Sequence, residues 1–330
     1  MPRIIRRLPL LALAGALCLG MSPAAFAQSA APDAIPSKGK VALTFDDLPG
    51  LTLVADQPYT DYLNEMLLRG LKRHHLPAIG FVNESKLDVV KRDHQIANLR
   101  RWLDAGMNLG NHTFSHETPN DIGAAAYIAD IAKGEPVTRA LLAEHHRKLD
   151  WFRHPYLETG FPAAAKKQID DWLAAHGYRV APVTIDADDW EFAEPYDDAI
   201  SRHDAARVAR IRHQYLAYTE RTVEWYQHAS QSVFGRQISF VMLLHDTRLN
   251  ADCIDDLAAI LKRRGLKGVT LEEAMKDPAY KLGDPAVTKD GIDWLERWAE
   301  HLHRPEPWST WQDPPKQIEQ EYERNNKDRH

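Results

Sequence analysis

The stretch Val41-Ala42-Leu43-Thr44-Phe45-Asp46-Asp47 decides how this chain folds. Its first five residues predict a buried strand, and two carboxylates follow at the carboxyl end of that strand. Helical patterns separate it from further short apolar runs, which lie at residues 78–82, 107–110, 151–152, 178–185 and 238–244. Strands that alternate with helices are typical of parallel βαβ units, in which both faces of the sheet are covered. We therefore predict one α/β domain, either barrel-like or doubly wound.

Length and composition exclude several classes of protein. A chain of 330 residues is long enough for about two domains or one large barrel. Hydrophobic residues at 44% and charged residues at 27% are ordinary globular values, so a wholly disordered chain is excluded. Two cysteines cannot form a disulfide scaffold, and a net charge of -6 provides no basic field for nucleic acid. We expect no nucleic-acid partner.

The first 27 residues have the order of a secretory signal peptide. Three arginines precede an apolar run at 8–21, and Ala25-Phe26-Ala27 provides an A-x-A cleavage site. The apolar run is shorter than the roughly 20 residues that cross a bilayer, so we expect cleavage after Ala27 and no stable membrane anchor. The mature chain would be periplasmic or secreted, with 38 basic residues, 47 acidic residues and Cys253 as a buried apolar side chain.

The remaining chain divides into four predicted segments. A flexible lead at 28–39 precedes a catalytic domain at 40–275, a helical extension at 276–303 and a loose polar tail at 304–330. Within the domain, residues 204–234 form an insertion with large apolar residues at spacings of three, four or seven: Val208, Ile211, Tyr215, Tyr218, Trp225 and Ala229. This stripe predicts an amphipathic helix, either packed on the domain or closing over a groove as a lid. Trp308 and Trp311 are the tail residues that could fold back onto the body.

Polar residues with catalytic potential directly follow the predicted strands. They are Asp46 and Asp47, Asn111 and His112, Arg153, Asp186 with Asp189 and Trp190, and His245. In parallel α/β folds the carboxyl ends of the strands share one face, and active sites are built there. We therefore expect side chains about 200 positions apart to converge.

Asp47, His112 and His116 are a candidate metal site. The spacing of four lets both imidazoles point the same way if the segment is one helical turn, and Asp47 can add a hard oxygen ligand. Two histidines and one carboxylate leave coordination positions open for water and substrate, as in catalytic zinc sites. An isolated H-x-x-x-H pattern is weak evidence in a chain with 16 histidines, and Asp46-Asp47 taken alone also fits an Asx-type turn.

Two further pairs suggest acid–base chemistry. Arg153 would be costly to place at a strand end without a carboxylate partner, and Asp46 is the candidate, whose ionised form the guanidinium would favour. Asp189 could hold His245 protonated as a general acid. The residues alone leave open a structural salt bridge for Arg153 and a core position for His245.

Five segments, in order, resemble the five motifs of the polysaccharide deacetylases of carbohydrate esterase family four, the NodB-homology domain. They are Thr44-Phe45-Asp46-Asp47, His112-Thr113-Phe114-Ser115-His116, Arg153-His154-Pro155-Tyr156, Asp186-Ala187-Asp188-Asp189-Trp190 and Leu243-Leu244-His245. The resemblance spans about residues 40–271. It implies a distorted (β/α) barrel whose members remove acetyl groups from N-acetylated sugars or O-acetylated glycans with a divalent metal, usually zinc.

The resemblance also implies a role for each matching residue. Asp46 would be the general base, and Asp47, His112 and His116 the metal ligands. Arg153 would tune Asp46, and the backbone N–H of Tyr156 would contact the oxyanion. His245 would be the general acid, tuned by Asp189. Trp190 and Leu243 would shape the acetyl pocket. The expected partner is an acetylated glycan or oligosaccharide.

Departures from the family pattern leave the substrate open. Leu48 and Leu157 stand where the family commonly has glycine, and the insertion lengthens the gap before the last motif. Chitin-like chains, peptidoglycan, exopolysaccharide and xylan all remain, as does a related hydrolase of another amide or an O-acetyl ester. A non-catalytic glycan-binding protein could keep the same fold. A non-haem iron oxygenase would share the ligand set, but that class normally has an antiparallel jelly roll.

Overall fold

A computed structural model describes residues 39–327. Its single sheet has eight strands: β1 (Gly39–Leu48), β2 (Ala78–Val82), β3 (Asn108–Asn111), β4 (Trp151–Phe152), β5 (Arg179–Val180), β6 (Ile185–Asp186), β7 (Phe240–His245) and β8 (Leu266–Val269). The predicted signal peptide and nearly all of the predicted lead lie outside the described residues, so those expectations stay predictions.

Twelve α-helices lie in the described part of the chain. Six precede residue 180: α1 (Gln57–Arg73), α2 (Arg92–Asp104), α3 (Pro119–Ile122), α4 (Ala124–Lys133), α5 (Pro136–Glu144) and α6 (Ala163–Ala175). Six follow it: α7 (Asp189–Ser201), α8 (Ala205–Phe234), α9 (Arg248–Arg263), α10 (Leu271–Ala274), α11 (Trp294–His301) and α12 (Lys316–Lys327). Among residues 39–327, no helix has both the length and the apolar character that crossing a bilayer requires.

The sheet is parallel and curls into a distorted barrel. Its order is β5-β4-β3-β2-β1-β7-β6, with β8 also paired to β1. The two end strands, β5 and β6, are separated in the chain by residues 181–184 alone, which can span at most about 17 Å. The opposite ends of the sheet must therefore lie close together. The predicted distorted (β/α) barrel is confirmed.

One predicted strand, at residues 178–185, is two strands. Its first part, β5, pairs with β4, whereas its last part, β6, pairs with β7 at the other end of the sheet. Pro182 lies between them and has no N–H to donate to a ladder, so the pairing is interrupted there. Proline inside an apolar run is the sequence signal for this break.

The central strand β1 and its neighbours form the core. Nine of the ten β1 residues are buried, as expected for a parallel strand covered on both faces. Leu48 is fully buried against Gly80 of β2, where an added Cβ would lie 2.2 Å from a Leu48 methyl carbon. Thus a glycine on the neighbouring strand makes room for the leucine that departs from the family pattern.

The insertion is a packed helix. The single long helix α8 places Ile211, Tyr215 and Tyr218 in a second apolar cluster together with Phe192 of α7 and Cys253 of α9. Burial raises the pKa of Cys253 to about 12, so its thiol behaves as a small apolar group. The structure thus shows the packed alternative for residues 204–234.

The expectation of a loose tail is wrong for residues 316–327. Helix α12 buries Ile318 completely in the second apolar cluster. Glu321 is also buried, and its carboxylate lies 2.8 Å from Nε of Arg207 and 2.6 Å from Nη2 of Arg210, both on α8. The polar composition conceals these two anchors, because one apolar residue and one charge pair suffice to dock a short helix. Upstream, Trp308 folds back onto Trp225 with ring centroids 5.0 Å apart.

Candidate active site at the carboxyl ends of the strands

The predicted site residues meet at one rim of the barrel. Asp46 and Asp47 lie near the carboxyl end of β1, and Asp46 is in register with His245 at the end of β7. His112 follows β3 directly, and Arg153 follows β4. The parallel arrangement therefore brings side chains from four strands together, as the positions after the strands predict.

Asp47, His112 and His116 form a compact ligand cluster. One ligand atom from each lies within 4.8 Å of the others. Nε2 of His116 is 3.5 Å and Nε2 of His112 is 3.9 Å from Oδ1 of Asp47. That carboxylate oxygen is buried without a hydrogen-bond partner, which is costly for a polar atom in a protein interior. Ligands about 2 Å from one cation lie at such mutual distances, so these residues fit a divalent metal.

The two histidines converge through a loop and not through the expected helical turn. Thr113 and His116 have φ values of 65° and 64°, in the left-handed region. The Asp130 carboxylate stabilises this loop by accepting hydrogen bonds from the Phe114 and Ser115 N–H groups, at 3.1 and 2.9 Å. The correction has a local cause, because this carboxylate caps the turn where a helix would use its own carbonyls.

The protonation states of the cluster suit metal binding. Burial lowers the pKa of His112 and of His116 to about 4, so both imidazoles are neutral at pH 7. Nδ1 of His112 lies 2.8 Å from the Arg153 carbonyl oxygen, which leaves Nε2 towards Asp47. Burial alone would raise the pKa of Asp47, but Lys86 and both histidines lower it well below its usual range.

Asp46 and Arg153 form the predicted pair. Nη1 of Arg153 donates to Oδ2 and Oδ1 of Asp46 at 3.2 and 3.3 Å, and Nη2 donates to the Thr44 hydroxyl at 3.0 Å. The Arg153 charge favours the ionised form of Asp46, as the sequence predicts, but it acts against a larger effect of burial. Burial raises the pKa of Asp46 above its ordinary value, and the opposing charges of Arg153 and His245 only offset part of that effect.

His245 is bound to Asp189 by both its ring and its backbone. Nδ1 lies 2.8 Å from Oδ1 of Asp189, and the His245 N–H donates to Oδ2 at 2.8 Å. Burial would lower the pKa of His245, but the Asp189 charge and hydrogen bond raise it to about 9. The imidazole is therefore protonated at neutral pH, as expected of a general acid.

The other three predicted site residues lie around this centre. Tyr156 has a φ of 54°, is 56% exposed, and its ring packs edge-on against His116 with centroids 4.6 Å apart. Trp190 lies in the first turn of α7, next to Asp189. Leu243 is buried in β7 two residues before His245, so both side chains point to the same side of the strand.

Sequence reasoning missed three residues of the site. Asn250 donates from Nδ2 to Oδ2 of Asp189 at 2.6 Å. Its side-chain oxygen Oδ1 accepts a hydrogen bond from the Tyr215 hydroxyl at 2.6 Å. Nζ of Lys86 lies 3.6 Å from Oδ2 of Asp47. Lys86 follows β2, so a search of every strand end would have found it. Tyr215 belongs by its spacing to the apolar stripe of the insertion, and its hydroxyl gives no sequence signal.

Comparison with known proteins assigns a family to the part of the chain that forms much of this curled parallel sheet. Residues 33–181 match the polysaccharide deacetylase family. The resemblance seen in the sequence is confirmed, and this segment belongs to that family.

Two curated relatives carry the same substrate in their names. The chain is 27% identical over 241 residues to a probable peptidoglycan-N-acetylglucosamine deacetylase of Arthroderma benhamiae, covering 73% of this chain and 45% of that protein. It is 28% identical over 159 residues to a peptidoglycan-N-acetylglucosamine deacetylase of Bacillus cereus, covering 47% and 48%. The matches thus span about half the length of these relatives.

Solved structures show the same fold. The chitin deacetylase of Colletotrichum lindemuthianum is similar with a TM-score of 0.50 and 23% identity, covering 73% of this chain and 88% of that one. A polysaccharide deacetylase from Bacillus cereus is similar with a TM-score of 0.50 and 19% identity, covering 71% and 92%. Both likenesses support the barrel architecture.

Proposed function

We propose that the protein is an exported, metal-dependent deacetylase that removes acetyl groups from N-acetylated sugars of a glycan or oligosaccharide. The observation that carries this proposal is that Asp46, paired with Arg153, and His245, paired with Asp189, both lie beside the ligand cluster. Asp46 lies 3.6 Å from Nε2 of His112, and His245 is in register with Asp46 on the next strand. The catalytic unit would be residues 40–275.

Asp47, His112 and His116 would hold a divalent cation, which we propose to be zinc. Bound there, it would polarise the acetamide carbonyl and lower the pKa of the attacking water. The fit rests on the neutral imidazoles, the ionised Asp47 and its buried oxygen without a hydrogen-bond partner.

The protein's own residues would supply the proton transfers. Asp46 would take a proton from the water as its oxygen bonds to the acetyl carbon, while Arg153 keeps the carboxylate oriented. The backbone N–H of Tyr156 would stabilise the oxyanion. His245 would give its proton to the sugar nitrogen as the C–N bond breaks, and acetate and the free amine would leave. Trp190 and Leu243 would enclose the methyl group.

The raised pKa of His245 favours an amide over an ester as substrate. A departing amine needs a proton more than a departing alkoxide does, and an imidazole with a pKa of about 9 remains charged across neutral pH. Peptidoglycan N-acetylglucosamine, the substrate in the names of both relatives, is such an amide. We therefore propose N-deacetylation of an N-acetylglucosamine-containing glycan outside the cytoplasm.

Acetate release tests this proposal. The zinc-loaded full chain should release acetate from chitin oligosaccharides or peptidoglycan, and a chelator should abolish the release. Acetylated xylan serves as the O-acetyl comparison, and Asp46→Asn as the inactive control. Absence of acetate from every glycan with a fully metal-loaded protein would refute the proposed activity.

A further inference from the structure

The C-terminal helix α12 is fixed beside the candidate site by two kinds of contact. Ile318 is buried in the apolar cluster that it shares with α7, α8 and α9. Glu321 is paired with Arg207 and Arg210 of α8. Helices α7, α8 and α12 all lie beyond the segment matched by the family, which ends at residue 181. The contacts of α12 therefore lie outside the matched segment.

The helix places an aromatic ring against a site residue. Tyr322, one residue after Glu321, packs edge-on against Trp190 with centroids 4.9 Å apart and planes at 77°. On the other side of the site, the Tyr156 ring packs against His116 of the ligand cluster. The Tyr322 phenol is one of the groups that raise the pKa of Tyr156, after burial and Asp47. One tyrosine therefore lies against the ligand cluster, and the other lies against Trp190 beside Asp189.

We propose that Tyr322 is a substrate-binding residue, which together with Tyr156 forms an aromatic wall at the mouth of the site for a neutral N-acetylated sugar ring. This inference rests on the proposed deacetylase function. Both side chains are partly accessible, Tyr156 at 56% and Tyr322 to an intermediate degree. Aromatic faces with a polar hydroxyl suit a sugar, which has apolar C–H faces and a polar edge.

The charge around this wall favours a neutral ligand. Burial raises the pKa of Glu191 of α7 to about 8, and the carboxylates of Asp188 and of Glu319 on α12 add to that effect. A sugar carboxylate at this position would face the charges of Asp188 and Glu319, whereas an N-acetylhexosamine would not. We therefore expect the wall to accept neutral rings and its acidic neighbours to disfavour uronic acids.

The test compares variants of the full zinc-loaded chain on two substrates. Tyr322→Ala should raise KM for the N-acetylglucosamine pentamer roughly tenfold, the value of one aromatic contact, with kcat within about twofold. Hydrolysis of 4-nitrophenyl acetate, which has no sugar ring, should change less than hydrolysis of the pentamer. Tyr322→Phe should keep the wild-type KM, because the ring is retained.

Two controls separate binding from folding. Tyr322→Leu keeps apolar contact with Trp190 but has no ring, so it should raise KM as Tyr322→Ala does even if the alanine variant loosens α12. Trp308→Ala removes a partly exposed ring of the same segment that packs on Trp225 and Trp311, and it should leave both reactions unchanged.

Calorimetric binding of the pentamer to Asp46→Asn, with and without Tyr322→Ala, separates this inference from the proposed activity. A tenfold weaker binding with the alanine supports the wall even if the wild type proves inactive on glycans. Equal pentamer affinity, or an unchanged KM in both Tyr322→Ala and Tyr322→Leu, overturns it.

Discussion

Replacing Asp189 by asparagine should move the alkaline limit of the reaction. Asp189 is fully buried and holds both the ring and the backbone N–H of His245. It raises the pKa of His245 from the ordinary 6.5 to about 9. That difference corresponds to about 3 kcal/mol in favour of the imidazolium. Asparagine keeps the shape and removes the charge, so burial should then dominate and lower the pKa of His245 below 6.5.

The expected consequence is a changed pH profile. In the wild type, kcat/KM should decline only as pH rises through about 9, where His245 loses its proton. In Asp189→Asn the decline should begin at a lower pH, with a loss of roughly tenfold at pH 7.5 if the pKa returns to its ordinary 6.5. At pH 5.5 the two proteins should differ far less. A reduction by the same factor at every pH would refute the assignment of His245 as the acid tuned by Asp189.

The same pair predicts a trend in stability. Because the folded-state pKa of His245 lies above its unfolded value, the pair stabilises the fold fully below pH 6.5. This contribution declines as pH rises through about 9. Chemical unfolding at pH 6 and pH 9.5 should therefore show a larger loss of stability for the wild type than for Asp189→Asn.

Three further predictions concern the base, the metal ligands and the first turn of α7. Asp46→Asn should keep stoichiometric zinc yet lose roughly 10²-fold or more in rate, and near-normal turnover would remove Asp46 as the base. His112→Ala should lose zinc together with activity, as atomic absorption would show, and full retention of the metal would contradict the ligand assignment. Glu191→Gln should raise the melting temperature at pH 9 but not at pH 4. The folded-state pKa of Glu191, about 8, lies above its ordinary 4.5, so ionisation of this carboxyl group destabilises the fold as pH rises. Equal melting temperatures at pH 9 would show that Glu191 is solvated.

The fold could be predicted from the sequence because its main signals are local. The apolar run at 78–82 indicates a strand from its own residues and from the helical pattern that follows it. Strand β2 lies where expected. The region 178–185 fails because its two halves pair with strands far away in the chain, β4 and β7. Strand β8 escapes prediction for a similar reason. Lys267 and Gly268 interrupt the apolar residues of Leu266–Val269, so only the pairing with β1 defines the strand.

The residues of the candidate site that lie at strand ends could be predicted from the sequence. Asp46, Arg153 and His245 could be found because each directly follows or ends an apolar run, and in a parallel sheet that position faces the rim where active sites lie. The effect of burial on Asp46 could not be predicted, because burial raises its pKa while the partner that the sequence does reveal lowers it. A sequence shows the partner's type but not the depth of burial.

The insertion shows why the supporting layer of a site is harder to predict than its catalytic residues. Tyr215 satisfies two requirements at once, since its ring fills the cluster around Phe192 while its hydroxyl binds Asn250 behind Asp189. The spacing of apolar residues predicts that the Tyr215 ring is buried, but it does not predict the hydrogen bond of the hydroxyl. The same helix α8 supplies the arginines that hold α12. One packed insertion therefore supports the His245 side of the candidate site through Asn250 and holds α12 through Glu321, so a change to its packing should affect both.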